Sequence, residues 1–182
     1  MDSEARGKKP HVVCIPFPAQ GHINPMLKLA KLLHFNGFHI TFVHTEFNYN
    51  QIQTASSSSP LEGLDDFEFE IIPDSLPPSN PSTKQDVVAL CTTIRTNFSA
   101  PFRRLLNRLN ESAGVPSINC IISDNFMSFT QDVAAELGIP DVVFCTCGAS
   151  SFMCLLHTRK LIERGVLPLK IRKLLKLCFK FT

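Results

Sequence analysis

The sequence predicts an α/β fold in which helices cover a doubly wound, Rossmann-like parallel sheet. Short apolar runs alternate along the chain with segments whose apolar residues recur every three or four positions. The links between these elements are mostly short, and no internal repeat is present. Such alternation favours a parallel sheet with right-handed crossovers. With 182 residues, of which 44% are apolar and 19% charged, the chain fits one domain.

Short apolar or alternating runs mark five predicted strands. They cover residues 11–17, 38–43, 67–72, 118–123 and 142–145. The third run alternates between apolar and charged side chains, which is typical of a strand near a sheet edge. The fourth is almost wholly apolar, as expected of a central parallel strand.

Helical spacing of apolar residues marks four predicted helices. They cover residues 26–33, 86–109, 128–137 and a last segment from Ser150 or Ser151 to Arg164. Asn24 is predicted to cap the first helix and Pro25 to occupy its first turn. Pro101 should kink or split the second. Residues 45–65 turn polar, and the serine run at 56–59 with Pro60 is predicted to be a flexible surface loop. The proline-containing residues 74–83 are predicted to be an irregular loop.

The stretch around which the chain is organised is residues 16–26, Pro-Phe-Pro-Ala-Gln-Gly-His-Ile-Asn-Pro-Met. It joins the first strand to the first helix, where open α/β sheets hold ligands. His22 is its one titratable side chain. Because the positive end of a helix disfavours imidazolium, a neutral His22 could accept a proton. The alternative is that His22 only hydrogen-bonds the loop backbone.

Three polar residues follow three predicted strands. His22, Asp124 and Thr146 come after the first, fourth and fifth strands, and carboxyl ends of parallel strands open onto one crevice. Asp124 could therefore hold one nitrogen of the His22 ring while the other takes a proton from a substrate hydroxyl. The alternative for Asp124 is a cap for residues 125–128.

Composition and missing motifs exclude several classes of function. The net charge is only +2, and the last 13 residues hold five basic side chains, so nucleic-acid binding has little support. Seven cysteines without a Cys-x-x-Cys pair indicate neither a zinc site nor a disulfide framework, and reduced, mostly buried thiols fit the cytosol. Phosphate-loop, dinucleotide and nucleophile-elbow motifs are absent. The longest uncharged run, residues 142–156, is too short to cross a bilayer, and residues 1–10 carry no apolar signal segment.

Four separated motifs together resemble one family. They are His-Val-Val-Cys-Ile-Pro-Phe-Pro-Ala-Gln-Gly-His-Ile-Asn-Pro-Met from residue 11, Leu-His-Phe-Asn-Gly-Phe-His-Ile-Thr-Phe-Val-His-Thr-Glu from 33, Cys-Ile-Ile-Ser-Asp from 120 and Glu-Arg-Gly-Val-Leu-Pro-Leu-Lys from 163. In this order they resemble the acceptor-binding, N-terminal half of a plant UDP-dependent glycosyltransferase of family 1 with a GT-B fold. The resemblance is closest to the subgroup of 7-deoxyloganetin, cyanohydrin and terpenoid glucosyltransferases.

The resemblance implies an inverting, metal-free transfer of glucose from UDP-glucose to a hydroxyl of a small lipophilic terpenoid, cyanohydrin or phenolic acceptor. UDP-glucose is then a co-substrate, and no cofactor is implied. By the matched motifs His22 is the base, Asp124 orients it and Thr146 contacts the sugar of the donor. The acceptor pocket is expected to involve His22 together with Gly21, Phe17, Phe126 and Met127.

The sequence also departs from the family, whose donor-binding domain carries a motif that opens with tryptophan. This chain has no tryptophan. We therefore expect a disordered segment at residues 1–10, one acceptor-binding domain at 11–170, an aberrant basic tail at 171–182 and no donor-binding domain. Such a chain is expected to be cytoplasmic and to transfer little sugar by itself. The alternatives are a non-catalytic fragment that binds acceptors or a partner through an exposed apolar face, and a tail that anchors at membranes.

Overall fold

The structure is a computed structural model that describes residues 9–55, 64–73 and 87–167, with side chains omitted at 51–55 and 87–88. The expectations for residues 1–8, for the serine run at 56–59, for the loop at 74–83 and for the tail at 171–182 lie outside the described residues. The chain divides between Thr146 and Cys147 into two compact units, and each is described by itself.

The first unit is built on a five-stranded, wholly parallel sheet. Its strands are β1 (His11–Ile15), β2 (His39–Thr45), β3 (Phe67–Ile72), β4 (Ile118–Asp124) and β5 (Asp141–Phe144). Their spatial order is β3-β2-β1-β4-β5. This arrangement confirms the predicted fold class and the five strands, and it confirms that the third strand lies at an edge.

Among the described residues, five helices belong to the first unit and one to the second. They are α1 (Gln20–Phe35), α2 (Glu46–Ala55), α3 (Val87–Asn97), α4 (Ser99–Glu111) and α5 (Phe129–Leu137), and in the second unit α6 (Ala149–Glu163). The predicted long helix is split at Phe98, so Pro101 lies in the first turn of α4, where a missing amide hydrogen costs little. Gly148, rather than a serine, is the N-cap of α6.

Helix α2 was not predicted, because the sequence indicated only that residues 45–65 turn polar. The oxygen Oγ1 of Thr45 lies 3.4 Å from the backbone nitrogen of Asn48 and 3.2 Å from its side-chain nitrogen. A threonine that accepts hydrogen bonds from a residue three positions later stabilises a helix start. The polar sequence after Thr45 hides this signal, because it shows little apolar periodicity.

Apolar side chains on both faces of the sheet form two separate core clusters. On one face α1 covers β1 and β2, and the cluster comprises Val12, Cys14, Ile23, Met26, Ala30, Ile40, Phe42 and Phe67. On the other face α3, α4 and α5 contribute to a larger cluster, in which Phe98, Phe102 and Leu106 are fully buried. Neighbouring residues of β1 point to opposite clusters, as the two-residue period of a strand requires. Of the cysteines in the described ranges, only Cys14 is fully buried, so the expectation of mostly buried thiols was wrong.

The start of α1 lies six residues earlier than the sequence predicted. Ala19 is the N-cap, with extended φ and ψ, and Asn24 and Pro25 lie inside the helix. The predicted cap at Asn24 is therefore wrong. Ile23 and Met26 are buried on the sheet, and this packing holds the first turns in place although Pro25 cannot donate a backbone hydrogen bond. As a consequence, His22 lies in the first turn of α1 rather than in a loop before it.

Two histidines, His11 and His44, are buried in the sheet as neutral rings. Burial lowers the pKa of His11 to about 4, although a hydrogen bond with the carbonyl of Pro116 opposes this and nearby His39 adds to it. The Nδ1 atom of His11 lies 2.7 Å from that carbonyl oxygen, and its Nε2 lies 2.8 Å from the hydroxyl of Thr41. Burial also lowers the pKa of His44 to about 4.

We expect these two rings to make the fold sensitive to mild acid. In the unfolded chain His11 and His44 take up protons near pH 6.5, whereas in the folded chain they do so only near pH 4. Between these values the unfolded state binds more protons than the folded state, so stability is lost as the pH falls through this window. Each ring contributes a slope of up to about 1.4 kcal/mol per pH unit. The free energy of unfolding in urea, measured between about pH 7.5 and about pH 5, should fall accordingly.

The variant His44→Phe is the matched control for acid sensitivity, because the His44 ring packs against Phe42 and Phe69 and a phenyl ring keeps that contact. Its unfolding free energy should depend less steeply on pH than that of the parent chain. The pKa of Asp66 is lowered, first by a hydrogen bond from Lys9. The protonation of Asp66 affects stability only as the pH falls toward and below its ordinary value of 3.8, which lies outside this pH window. An unfolding free energy that is flat from about pH 7.5 to about pH 5 would contradict the prediction.

Candidate active site

The three polar residues expected at the ends of strands meet at the carboxyl edge of the sheet: Asp124 is the last residue of β4, and His22 and Thr146 come after β1 and β5. The Nδ1 atom of His22 lies 2.8 Å from Oδ2 of Asp124 and 2.9 Å from Oγ1 of Thr146. These residues are 102 and 124 positions apart from His22 in sequence. The structure thus places side by side the residues that the strand ends predicted.

The carboxylate of Asp124 binds both the histidine and the loop that follows β4. Its side chain is fully buried. While Oδ2 contacts His22, Oδ1 accepts a hydrogen bond of 3.0 Å from the backbone N–H of Phe126. The two alternatives that the sequence left open for Asp124 are therefore combined in one side chain, since one oxygen caps the turn and the other holds the imidazole.

The position of Asp124 determines which ring nitrogen of His22 carries the proton. An ionised carboxylate only accepts hydrogen bonds, so the Nδ1–H of the neutral ring donates to it and Nε2 keeps a lone pair. The His22 side chain is 23% exposed. Within the described ranges no group hydrogen-bonds Nε2. The ring is thus oriented to accept a proton at Nε2.

Two phenyl rings form an apolar corner around His22. The ring centroids of Phe17 and Phe126 lie 5.2 Å and 5.6 Å from that of His22, both in edge-on arrangements. Phe17 is nearly buried, whereas Phe126 is 48% exposed. A large exposed phenyl group beside a proton-accepting nitrogen offers an apolar surface to a ligand.

The other two residues expected in the acceptor pocket occupy different surroundings. Gly21 precedes His22 in the first turn of α1 and is exposed, with open space where a side chain would lie. Met127 is only 1% exposed and belongs to the larger core cluster. Its side chain packs beneath the site, and the expected contact of Met127 with an acceptor stays a prediction.

Neither metal ligands nor a membrane span is found in the described parts of the chain. No three histidine, cysteine, aspartate or glutamate side chains there are grouped so as to hold a metal ion. None of the described helices has the length and apolar character needed to cross a bilayer.

Comparison with known proteins decides the family. A family model described as the N-terminal domain of glycosyltransferases matches residues 9–173. UDP-glycosyltransferase 85A5 of Arabidopsis thaliana is 54% identical over 164 residues, which cover 90% of this chain and 34% of that protein. The chain belongs to the plant UDP-glycosyltransferases. It corresponds to the N-terminal domain of that family.

Other curated UDP-glycosyltransferases show the same coverage. The 7-deoxyloganetin glucosyltransferase of Gardenia jasminoides is 52% identical over 172 residues, covering 93% of this chain and 36% of that enzyme. The chain thus spans about a third of the length of the curated relatives it matches.

Solved structures of plant UDP-glycosyltransferases share the fold. UGT2 of Phytolacca americana, complexed with UDP-2fluoro-glucose and pterostilbene, has a TM-score of 0.62 at 24% identity, covering 86% of this chain and 35% of that one. UGT89C1 of Arabidopsis thaliana, complexed with UDP-L-rhamnose, has a TM-score of 0.56 at 27% identity, covering 75% of this chain and 36% of that one. The parallel sheet and its helices are therefore those of the N-terminal half of a GT-B enzyme.

Proposed function

We propose that this chain is the acceptor-binding half of a UDP-glucose-dependent O-glucosyltransferase that acts on a hydroxyl of a small lipophilic molecule. The observation that carries the proposal is the 2.8 Å contact between His22 Nδ1 and Asp124 Oδ2, which leaves Nε2 able to accept a proton. A relative named as a 7-deoxyloganetin glucosyltransferase supports glucose as the sugar and a small lipophilic molecule as the acceptor. UGT2, which has a similar fold, is complexed with UDP-2fluoro-glucose and pterostilbene.

The proposed reaction is a single displacement. His22 Nε2 takes the proton of the acceptor hydroxyl while that oxygen forms a bond to the anomeric carbon of glucose. The bond from the anomeric carbon to UDP breaks, and its electron pair leaves with UDP, so the configuration inverts. Asp124 stabilises the imidazolium that forms. Base assistance of this kind is worth about 10² to 10⁴ in rate, or about 3 to 5 kcal/mol.

Thr146 is proposed to contact the sugar of the donor. In the structure its Oγ1 lies beside the same nitrogen of His22 that contacts Asp124. A hydroxyl can accept one hydrogen bond and donate another. Thr146 can therefore stay next to His22 and donate its own proton to a sugar hydroxyl, which would bring the anomeric carbon close to the base.

The lipophilic character of the proposed acceptor follows from the phenyl groups of Phe17 and Phe126. Both rings pack around the His22 imidazole, and Phe126 presents nearly half of its surface. Burying such a surface against an apolar acceptor is favourable and removes water from the reacting hydroxyl. An anionic group on the acceptor would gain no partner from the faces of these rings.

A chimaera tests the proposed function. Residues 9–173 replace the matched segment of the 54%-identical Arabidopsis relative, and the product is incubated with UDP-glucose and a panel of terpenoid, cyanohydrin and phenolic alcohols. We expect β-glucosides, identified by mass spectrometry and by the anomeric coupling in NMR spectra. The 182-residue chain alone should form at most traces, since it spans only about a third of its relatives' length.

Three outcomes are informative in the chimaera experiment. A folded chimaera that binds UDP-glucose but glucosylates no alcohol of the panel would contradict the proposed reaction. Retention of the α configuration would contradict the single displacement. If the 182-residue chain alone binds an acceptor in calorimetry and the chimaera transfers nothing, a non-catalytic acceptor-binding role is the better account.

A further inference from the structure

A second carboxylate, outside the site described above, joins the end of β4 to the start of α5. Oδ1 of Asp141 accepts a hydrogen bond of 2.8 Å from the hydroxyl of Ser123, and its Oδ2 lies 2.8 Å from the hydroxyl of Thr130. Ser123 and Thr130 are buried, with exposures of 1% and 0%. Hydrogen bonds to a charged acceptor at buried positions are among the stronger ones in proteins.

Ser123 and Thr130, which Asp141 joins by hydrogen bonds, lie on either side of the turn 124–127 that begins with Asp124. Ser123 directly precedes Asp124 in β4, and Thr130 lies in the first turn of α5, the helix that follows the turn. The hydroxyl of Thr130 also lies 2.8 Å from the carbonyl oxygen of Met127, so its single proton is shared between that oxygen and Asp141. Met127 in turn donates its backbone N–H to the carbonyl of Asp124 at 2.8 Å.

The geometry of this turn sets the position of the Asp124 carboxylate. Within the turn the N–H of Phe126 donates to Oδ1 of Asp124, and this bond fixes the carboxylate so that Oδ2 faces His22. If the turn loosens, the Phe126 amide and the carboxylate are no longer held together. The proton on Nδ1 of His22 then loses its charged acceptor, and only the weaker hydroxyl acceptor of Thr146 remains beside it.

We propose that Asp141, through Ser123 and Thr130, is the positioning residue that holds the turn 124–127 and thereby keeps Asp124 within hydrogen-bond distance of His22. The inference rests on the proposed function in one respect: the orientation of Asp124 matters for the reaction only if His22 acts as a base. The hydrogen bonds of the Asp141 carboxylate are with Ser123 and Thr130, and those of the His22 ring are with Asp124 and Thr146. The effect of Asp141 is transmitted only through the turn.

The test uses the 182-residue chain and needs no turnover, so its failure is distinct from failure of the proposed function. Two signals are measured by NMR: the hydrogen-exchange rate of the Phe126 amide relative to that of Val13 in β1, and the 15N shifts that report the tautomer of the neutral His22 ring. Thr130→Val keeps the shape of the side chain but removes the hydroxyl. Thr130→Ser restores it.

We expect Thr130→Val to speed Phe126 exchange at least about tenfold relative to Val13 and to reduce the population of the Nδ1–H tautomer of His22. Asp141→Ala should act likewise, and Thr130→Ser should resemble the parent. Thr96→Val is the matched control, because the Thr96 hydroxyl also donates to a carbonyl, that of Thr92, but in α3. It should change neither signal.

An unchanged Phe126 exchange ratio and an unchanged His22 tautomer in folded Thr130→Val would overturn the inference. A uniform increase of exchange at Phe126 and Val13 alike would also overturn it, since that is the signature of a purely structural role. If Thr130→Val does not fold, Ser123→Ala, which removes only one hydroxyl, is judged by the same two signals.

Discussion

Replacing His22 by alanine in the chimaera should lower kcat/KM for the best acceptor by about 10² to 10⁴. The lost group is the proton acceptor at Nε2, so the loss should appear mainly in kcat, with KM for UDP-glucose little changed. Steady-state rates of glucoside formation at saturating UDP-glucose measure the effect. The substrate hydroxyl would then have to lose its proton to water.

The control for this prediction is His34→Ala on the same helix. His34 lies twelve residues after His22, about 18 Å further along the α1 axis, and hydrogen-bonds the backbone oxygen of Asp65. It should keep kcat/KM within a few-fold of the parent chimaera. Turnover by His22→Ala at the level of His34→Ala would show that another group, or none, acts as the base.

Replacing Asp124 by asparagine should lower kcat/KM by about 10² or more, although the side chain keeps its shape. The amide oxygen can still accept from the N–H of Phe126, which directs the NH₂ group toward Nδ1 of His22. An NH₂ group donates, so it favours the tautomer with the proton on Nε2. In that tautomer Nε2 can no longer take the acceptor's proton.

Asp132→Asn is the control for the Asp124 prediction. Asp132 is an exposed carboxylate in the first turn of α5, and its change removes the same charge a short distance along the chain. It should leave the reaction almost unaffected. A folded Asp124→Asn chimaera with parent-level kcat would mean that the carboxylate serves only to cap the turn 124–127.

The sequence predicted the sheet well because its strands are marked locally. Apolar runs of strand length indicated all five strands, and the charged alternation of Glu68 and Glu70 in β3 indicated an edge. The site followed from the same information. In a parallel sheet the carboxyl ends of all strands lie at the same edge, so the sequence predicts that His22, Asp124 and Thr146 meet there.

The features that the sequence missed depend on contacts between distant residues. The early start of α1 is stabilised by burial of Ile23 on the sheet, which outweighs the local signals of Asn24 and Pro25. The burial of Met127 depends on helices α3 to α5, which bring the larger core over its side chain. The hydrogen bonds of Asp141 join residues 11 and 18 positions away and leave no periodic pattern to read.

The link between His22 and Asp124 is tested most directly by a double-mutant cycle in the chimaera. The kcat/KM values of the parent, His22→Ala, Asp124→Asn and the double variant are measured with one acceptor. If Asp124 acts through the imidazole, the double variant should be no slower than His22→Ala alone, because no ring is left to orient. If the two losses instead multiply in the double variant, the residues act independently and the account of a histidine base oriented by Asp124 is contradicted.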